Sequence, residues 1–225
     1  MNVRKLILGA EQAPLLVIDD AAPNADDLVE LAAEQTFTAQ GRYYPGTRCV
    51  APPRYQQFLL TAFRDALLDC LGVSGGSLRL SMCHYSLVTT PAEQLAPLQR
   101  IPHVDSLSKQ GLATIHYLFK TDLGGTAFYR HRQTGFESLD ESRNPTYARC
   151  LQAESLGPHA PGAGYINGDT PLFEQIAKQE GVFNRMLVYR RNVLHSGCIG
   201  ADFVPDANPR TGRLSINSFI DWSAA

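Results

Sequence analysis

Three side chains in this sequence have the types and spacing to share one metal ion. His103-Val104-Asp105 puts an imidazole and a carboxylate two residues apart, and in an extended chain such positions project from the same face. By itself a His-x-Asp pair arises easily by chance and reads as a surface histidine beside a solvated aspartate. His195, at the end of the apolar run Met186 to Leu194, adds a second imidazole of the right kind. Two imidazoles and one carboxylate on one face of an ion leave adjacent coordination positions open for other reactants.

A second constellation follows. In Gly212-Arg213-Leu214-Ser215-Ile216-Asn217, strand alternation puts Arg213, Ser215 and Asn217 on one face and Leu214, Ile216 and Ile220 on the other. A polar face on a terminal strand also reads as plain solvated surface. An arginine fork beside a hydroxyl, however, is the chemistry that grips a carboxylate through two bonds.

These groups need elements to position them. Leu15-Leu16-Val17-Ile18-Asp19 reads as an early strand, and Asn24 as the cap of a helix through about Gln35. A Gly/Pro-rich loop spans Gly41-Arg42-Tyr43-Tyr44-Pro45-Gly46. After Pro52-Pro53 comes the clearest helix, with Tyr55, Phe58, Leu59, Phe63, Leu67 and Cys70 as one apolar stripe and Gly72 at its C′ position. From Ser77 to Val88 the period changes to two. Leu112 to Phe119, Thr126 to Tyr129, Phe183 to Arg190 and Arg213 to Asp221 read as further strands. Thr170-Pro171 reads as the start of a short helix to about Gln179, ended by Gly181.

The chain has 225 residues, 20 Lys+Arg against 22 Asp+Glu and a formal charge of −2. That balance gives no electrostatic footprint for nucleic acid or an anionic membrane. No apolar run approaches a membrane span, and Leu6 to Leu8 is too short for a secretory signal. Five cysteines without a close pair read as small buried hydrophobes in a reducing cytoplasm. The expected organisation is one domain over 1–225. A strand and helical layer occupies 1–76 and a barrel core 77–225, with a lid or substrate loop at about 131–168.

Taken in order, several stretches resemble the Fe(II)/2-oxoglutarate-dependent oxygenase superfamily, particularly its prolyl 4-hydroxylase-like branch. Leu80 to Ser86 resembles the strand before the first ligand, Pro102 to Asp105 the HxD motif, and Leu112 to Phe128 the strand, turn and GGxxxF stretch after it. Leu187 to Ser196 resembles the strand that delivers the distal histidine. The resemblance covers about Ser77 to Trp222. It implies an α+β fold with a mainly β core, a cupin-like double-stranded β-helix or jelly roll, buttressed by N-terminal helices.

It also implies roles. His103, Asp105 and His195 would hold Fe(II), and 2-oxoglutarate would chelate two open positions. Its far carboxylate would meet Arg213, assisted by Ser215 and the Tyr85 hydroxyl, with O2 in the last position. The products would be succinate, CO2 and a hydroxylated small molecule or peptide side chain. The separation of Arg213 from His195, 18 residues, is long for this branch, so Arg210 competes for the carboxylate. The rival reading is a non-catalytic or differently metallated cupin-like protein, which has no use for the Arg213 and Ser215 grip. Of the other histidines, His116 reads as a satisfied core residue and His84 as facing away from any cavity that Tyr85 faces. His131 and His159 fall in or beside the lid. Tyr43-Tyr44 reads either as a pocket border or as a loop anchor.

Overall fold

The apolar runs become strands, and the central ones, such as Ala13–Asp19, Gly111–Tyr117 and Met186–Arg190, are buried on both faces. The computed structural model describes residues 2–41, 43–157 and 160–224; His159 and Arg42 lie outside them. In chain order the elements are β1 (Asn2–Leu8), β2 (Ala13–Asp19), α1 (Ala25–Ala33), β3 (Thr38–Ala39), β4 (Gly46–Val50), α2 (Pro53–Ala62), α3 (Arg64–Leu71) and β5 (Ser77–Val88). After these come β6 (Gly111–Tyr117), β7 (Gly125–His131), α4 (Asn144–Ser155), β8 (Phe173–Glu180), β9 (Met186–Arg190), β10 (His195–Cys198) and β11 (Leu214–Ser223).

The strands form two antiparallel sheets. The larger has the order β1-β2-β9-β6-β11-β5-β4-β3, and the smaller β10-β7-β8. Period-two alternation divides each central strand between two cores. Leu16, Ile18, Leu112, Met186, Val188, Leu214 and Ile216 pack with Tyr55, Leu59, Phe63 and Leu67 of the helical layer. Their neighbours Leu15, Val17, Ala113, Leu187 and Tyr189 pack on the opposite side with Phe128 of β7. Both faces being covered explains why Leu15 to Ile18 is continuously apolar rather than alternating.

Three expectations need correction. The helix after Pro53 is two helices, because Phe63 leaves helical geometry (φ −110°, ψ 10°) while its ring stays in the core. Gly72 does end α3 in the left-handed conformation, φ 71°. Asn24 precedes α1 but makes no side-chain cap bond. The segment read as a helix from Thr170 is a turn followed by strand β8. Thr170 exchanges backbone and hydroxyl bonds with Phe173, and β7 takes the backbone groups of Phe173 to Glu180 into a ladder. Sheet pairing overrides the local helix-start signal there. The stretch 131–168, read as a lid or substrate loop, contains α4, whose Tyr147 and Leu151 line a cavity.

Candidate active site

A cavity of about 600 Å³ opens between the two sheets, lined from both and from α4. The corner that holds His103, Asp105 and His195 is built by backbone pairing. Between β9 and β10 the chain crosses from the large sheet to the small one. The crossing is held by the Leu194 N–H on the Glu137 carbonyl (2.8 Å) and by the Asn192 amide on the Leu139 carbonyl (3.1 Å). His103 and His195 then exchange two backbone bonds, 2.9 and 3.0 Å, and the Asp105 N–H donates to the Arg191 carbonyl at 2.8 Å. Residues 92 positions apart in sequence thus become strand neighbours.

The side chains converge as the backbone dictates. One donor atom each from His103, Asp105 and His195 lies within 4.8 Å of the others. Asp105 Oδ1 is 3.7 Å from His103 Nε2, and Asp105 Oδ2 is 3.4 Å from His195 Nε2. His195 donates its Nδ1–H to the Val193 carbonyl at 2.9 Å, which leaves the Nε2 lone pair aimed at the cavity. Its ring lies against Tyr189 and His103, at centroid distances of 4.8 and 4.5 Å. His103 keeps 53% of its side chain exposed, and its crowded surroundings together with the adjacent His195 lower its pKa, so its imidazole is neutral at pH 7. Neutral imidazole is the ligating form. Among the described residues Asp105 has no lysine or arginine within ion-pair distance. Two imidazole nitrogens and a carboxylate without a basic partner are the donor set that a divalent transition metal takes.

Arg213 is almost fully buried at the start of β11 and lines the same cavity. Its Nε donates to the Leu123 carbonyl and its Nη2 to the Gly125 carbonyl, both at 2.8 Å. Phe119 covers the guanidinium, 5.5 Å from the ring centroid. The Gly124-Gly125 turn that supplies one of these carbonyls is itself packed against β10. Gly124 has φ 82°, and a Cβ on it would stand 2.1 Å from the Cys198 carbonyl oxygen. Two carbonyls orient the fork without neutralising it, and among the described residues Arg213 has no carboxylate partner. A buried cation in that state favours an incoming anion. Arg210 is elsewhere: it is bound to Glu30 on the surface.

The model of DUF6445, described as a family of unknown function, matches residues 1–220. The chain belongs to DUF6445. Among curated proteins, none matches the sequence. Solved structures are similar in fold. HygX from Streptomyces hygroscopicus, with nickel and 2-oxoglutarate bound, aligns at a TM-score of 0.54 and 12% identity, over 92% of this chain and 82% of that one. HygX with nickel, 2-oxoglutarate and hygromycin B bound aligns at 0.52 and 12% over the same shares. At this identity the likeness is one of fold.

In this DUF6445 chain the residues singled out by sequence are mostly brought together, with one exception. Ser215 lines the cavity beside Asn217, to which it donates at 2.8 Å. Tyr85 does not reach it. In the β5–β11 register Tyr85 stands opposite Ile216, on the helix side, and its ring is buried beside Phe37. His84, opposite Asn217, takes the cavity side instead, the reverse of the parity expected from sequence. Another tyrosine, Tyr44, is on the cavity wall, within electrostatic reach of Arg48 and Arg213. Burial pushes its phenol pKa up to about 12, and its buried hydroxyl, near Ser86, makes no hydrogen bond of good geometry.

Sequence reasoning missed Arg48. Its strand β4 is short and adjoins a Gly/Pro-rich loop, and nothing local marks it. The only available signal was the neighbouring Tyr43-Tyr44 pair. His116 and His131 are satisfied interior residues. His116 accepts from the Tyr55 hydroxyl and donates to Asn184 Oδ1, both at 3.0 Å. His131 bonds Thr134 and Glu154.

Proposed function

We propose that this chain is an Fe(II)- and 2-oxoglutarate-dependent oxygenase that hydroxylates an organic substrate while 2-oxoglutarate is decarboxylated to succinate. One observation carries the reading. An uncommitted two-histidine, one-carboxylate cluster shares a cavity with a buried, oriented and unneutralised arginine. A metal site alone has no use for that arginine, and an anion site alone has no use for the cluster. HygX, similar in fold, is a protein seen with nickel and 2-oxoglutarate bound, which supports the same pairing of metal and co-substrate here. The two facing antiparallel sheets are read as a distorted double-stranded β-helix.

In this reading His103, Asp105 and His195 hold the iron, and iron with 2-oxoglutarate and O2 supplies the oxidising chemistry when bound. The chain's own residues do the rest. The Val193 carbonyl fixes the His195 tautomer. Arg213, held by Leu123 and Gly125, receives the far carboxylate of the co-substrate, with Ser215 and the Tyr44 hydroxyl as further partners. Tyr117 and Phe119 keep water from that end. Tyr85, turned into the helix-side core, drops out of the set. With it goes one of the grounds for the prolyl 4-hydroxylase-like branch, so the reading stays at the level of the superfamily. The five free cysteines suit a reducing cytoplasm, where ferrous iron persists.

The test is anaerobic titration of the metal-free chain with Fe(II) and then 2-oxoglutarate, followed by succinate assay after air is admitted. The reading requires stoichiometric Fe(II) binding, lost in His195→Ala, and uncoupled succinate formation. Metal binding without any 2-oxoglutarate binding or turnover would favour the rival, a metal-binding cupin-like protein.

A further inference from the structure

The cavity contains a second guanidinium that the proposed reaction leaves unused. Arg48, on β4, lines it and lies flat over the Tyr44 ring, 3.8 Å from the centroid. Among the described residues it forms no ion pair. Its Nε is buried without a hydrogen-bond partner, and its one polar contact is Nη1 to the Met82 sulfur at 3.9 Å. Arg48 is half-buried, and a guanidinium drawn partly out of water without a protein partner costs free energy unless something answers it.

Two features distinguish Arg48 from Arg213. It stands over Tyr44 and within electrostatic reach of Asp105 and His103, whereas Arg213 is anchored to the Gly124-Gly125 turn. Moreover, 2-oxoglutarate has two carboxylates. In the reading above one binds at the metal and the other at Arg213, so no co-substrate charge remains for Arg48. The cavity lining also includes the exposed apolar side chains Tyr43, 61% exposed, and Leu98, 53% exposed.

We propose that Arg48 binds a carboxylate of the prime substrate, which is therefore a monocarboxylic acid whose apolar body lies toward Tyr43 and Leu98. One unpaired planar fork matches one carboxylate in charge and shape; a phosphate dianion would call for a second cation at the same spot. Arg48 is thus a specificity-determining residue that seats the acid beside the metal cluster. The assignment of the two co-substrate carboxylates, and hence this inference, rests on the function proposed above.

The experiment uses the full chain loaded with Zn(II) and saturating 2-oxoglutarate, which cannot turn over. Calorimetry follows binding of straight-chain and aryl-substituted monocarboxylates, each paired with its primary amide. At least one acid is expected to bind tenfold or more tightly than its amide. Arg48→Gln should abolish that preference and change 2-oxoglutarate affinity less than threefold. Arg213→Gln should do the opposite. Arg48→Lys keeps the charge and should retain a reduced preference, which decides the matter if Arg48→Gln does not fold. Equal binding of acids and amides, or no binding across the panel, would overturn the proposal. So would a loss of 2-oxoglutarate affinity in Arg48→Gln as large as that in Arg213→Gln, since Arg48 would then serve the co-substrate. If the wild-type chain binds no 2-oxoglutarate, the proposed function fails. The acid–amide comparison between wild type and Arg48→Gln, run with Zn(II) alone, still decides the role of Arg48.

Discussion

His103 and His195 are joined through their main chains, each N–H donating to the other's carbonyl, at 2.9 and 3.0 Å. The bridge is isolated, outside the named strand pairings, yet it fixes the distance between the two imidazoles. Because the bonds are main-chain bonds, the scaffold of the cluster is separable from its donors.

That separability is testable. His103→Ala should keep the bridge and the fold while weakening Fe(II) or Co(II) binding by about 100-fold or more, since one of three ligands is gone. Calorimetry for the metal and thermal melting of the metal-free chain measure the two effects independently. Unchanged affinity would remove His103 from the site.

Arg213 offers a sharper substitution than deletion. Lysine keeps the charge but cannot bond the Leu123 and Gly125 carbonyls while also presenting a planar fork. Arg213→Lys should weaken 2-oxoglutarate binding about tenfold, on the order of 1.4 kcal/mol, measured on the anaerobic Fe(II) form. An affinity equal to wild type would argue against a bidentate grip.

Tyr44 and Tyr85 separate the expectation from sequence from the arrangement in the fold. Tyr44→Phe should weaken 2-oxoglutarate binding by about threefold to tenfold, the worth of one hydrogen bond. Tyr85→Phe should leave it unchanged. It should also raise stability by about 1 kcal/mol, because the Tyr85 hydroxyl is buried in the core without a partner. Denaturant melts and co-substrate titration of both variants check the pair.

The reversal at Tyr85 shows where sequence stops being informative. Period-two alternation from Ser77 to Val88 identifies β5, but alternation cannot tell which face meets the cavity when both faces are buried. His103, Asp105, His195 and Arg213 were legible because their types are scarce and their order is distinctive. Arg48 was not: its role depends on the β4–β5 register, which sets it opposite Ser86. Strand β8 was hidden for a related reason, since the open edge of β7 that claims it is far away in sequence.

His116 gives the stability of the fold a pH dependence. Burial pushes its pKa down to about 4, where its neutral ring accepts from Tyr55 and donates to Asn184. In the unfolded chain it titrates near the ordinary value of about 6.5. Between the two values only the unfolded state binds the proton, so its contribution is complete above pH ~6.5 and is lost as pH falls toward 4. The loss should reach about 3 kcal/mol at pH 4, because each pH step of one between the two values is worth about 1.4 kcal/mol. Protonation also breaks the Tyr55 bond, because the charged ring can no longer accept there. His116→Gln should be less stable at pH 7 yet lose less on acidification. Urea melts of the metal-free chain at pH 7, 5.5 and 4.5 read the difference between wild type and variant. This comparison cancels the parallel contribution of His103, and parallel curves would show that His116 is not the group responsible.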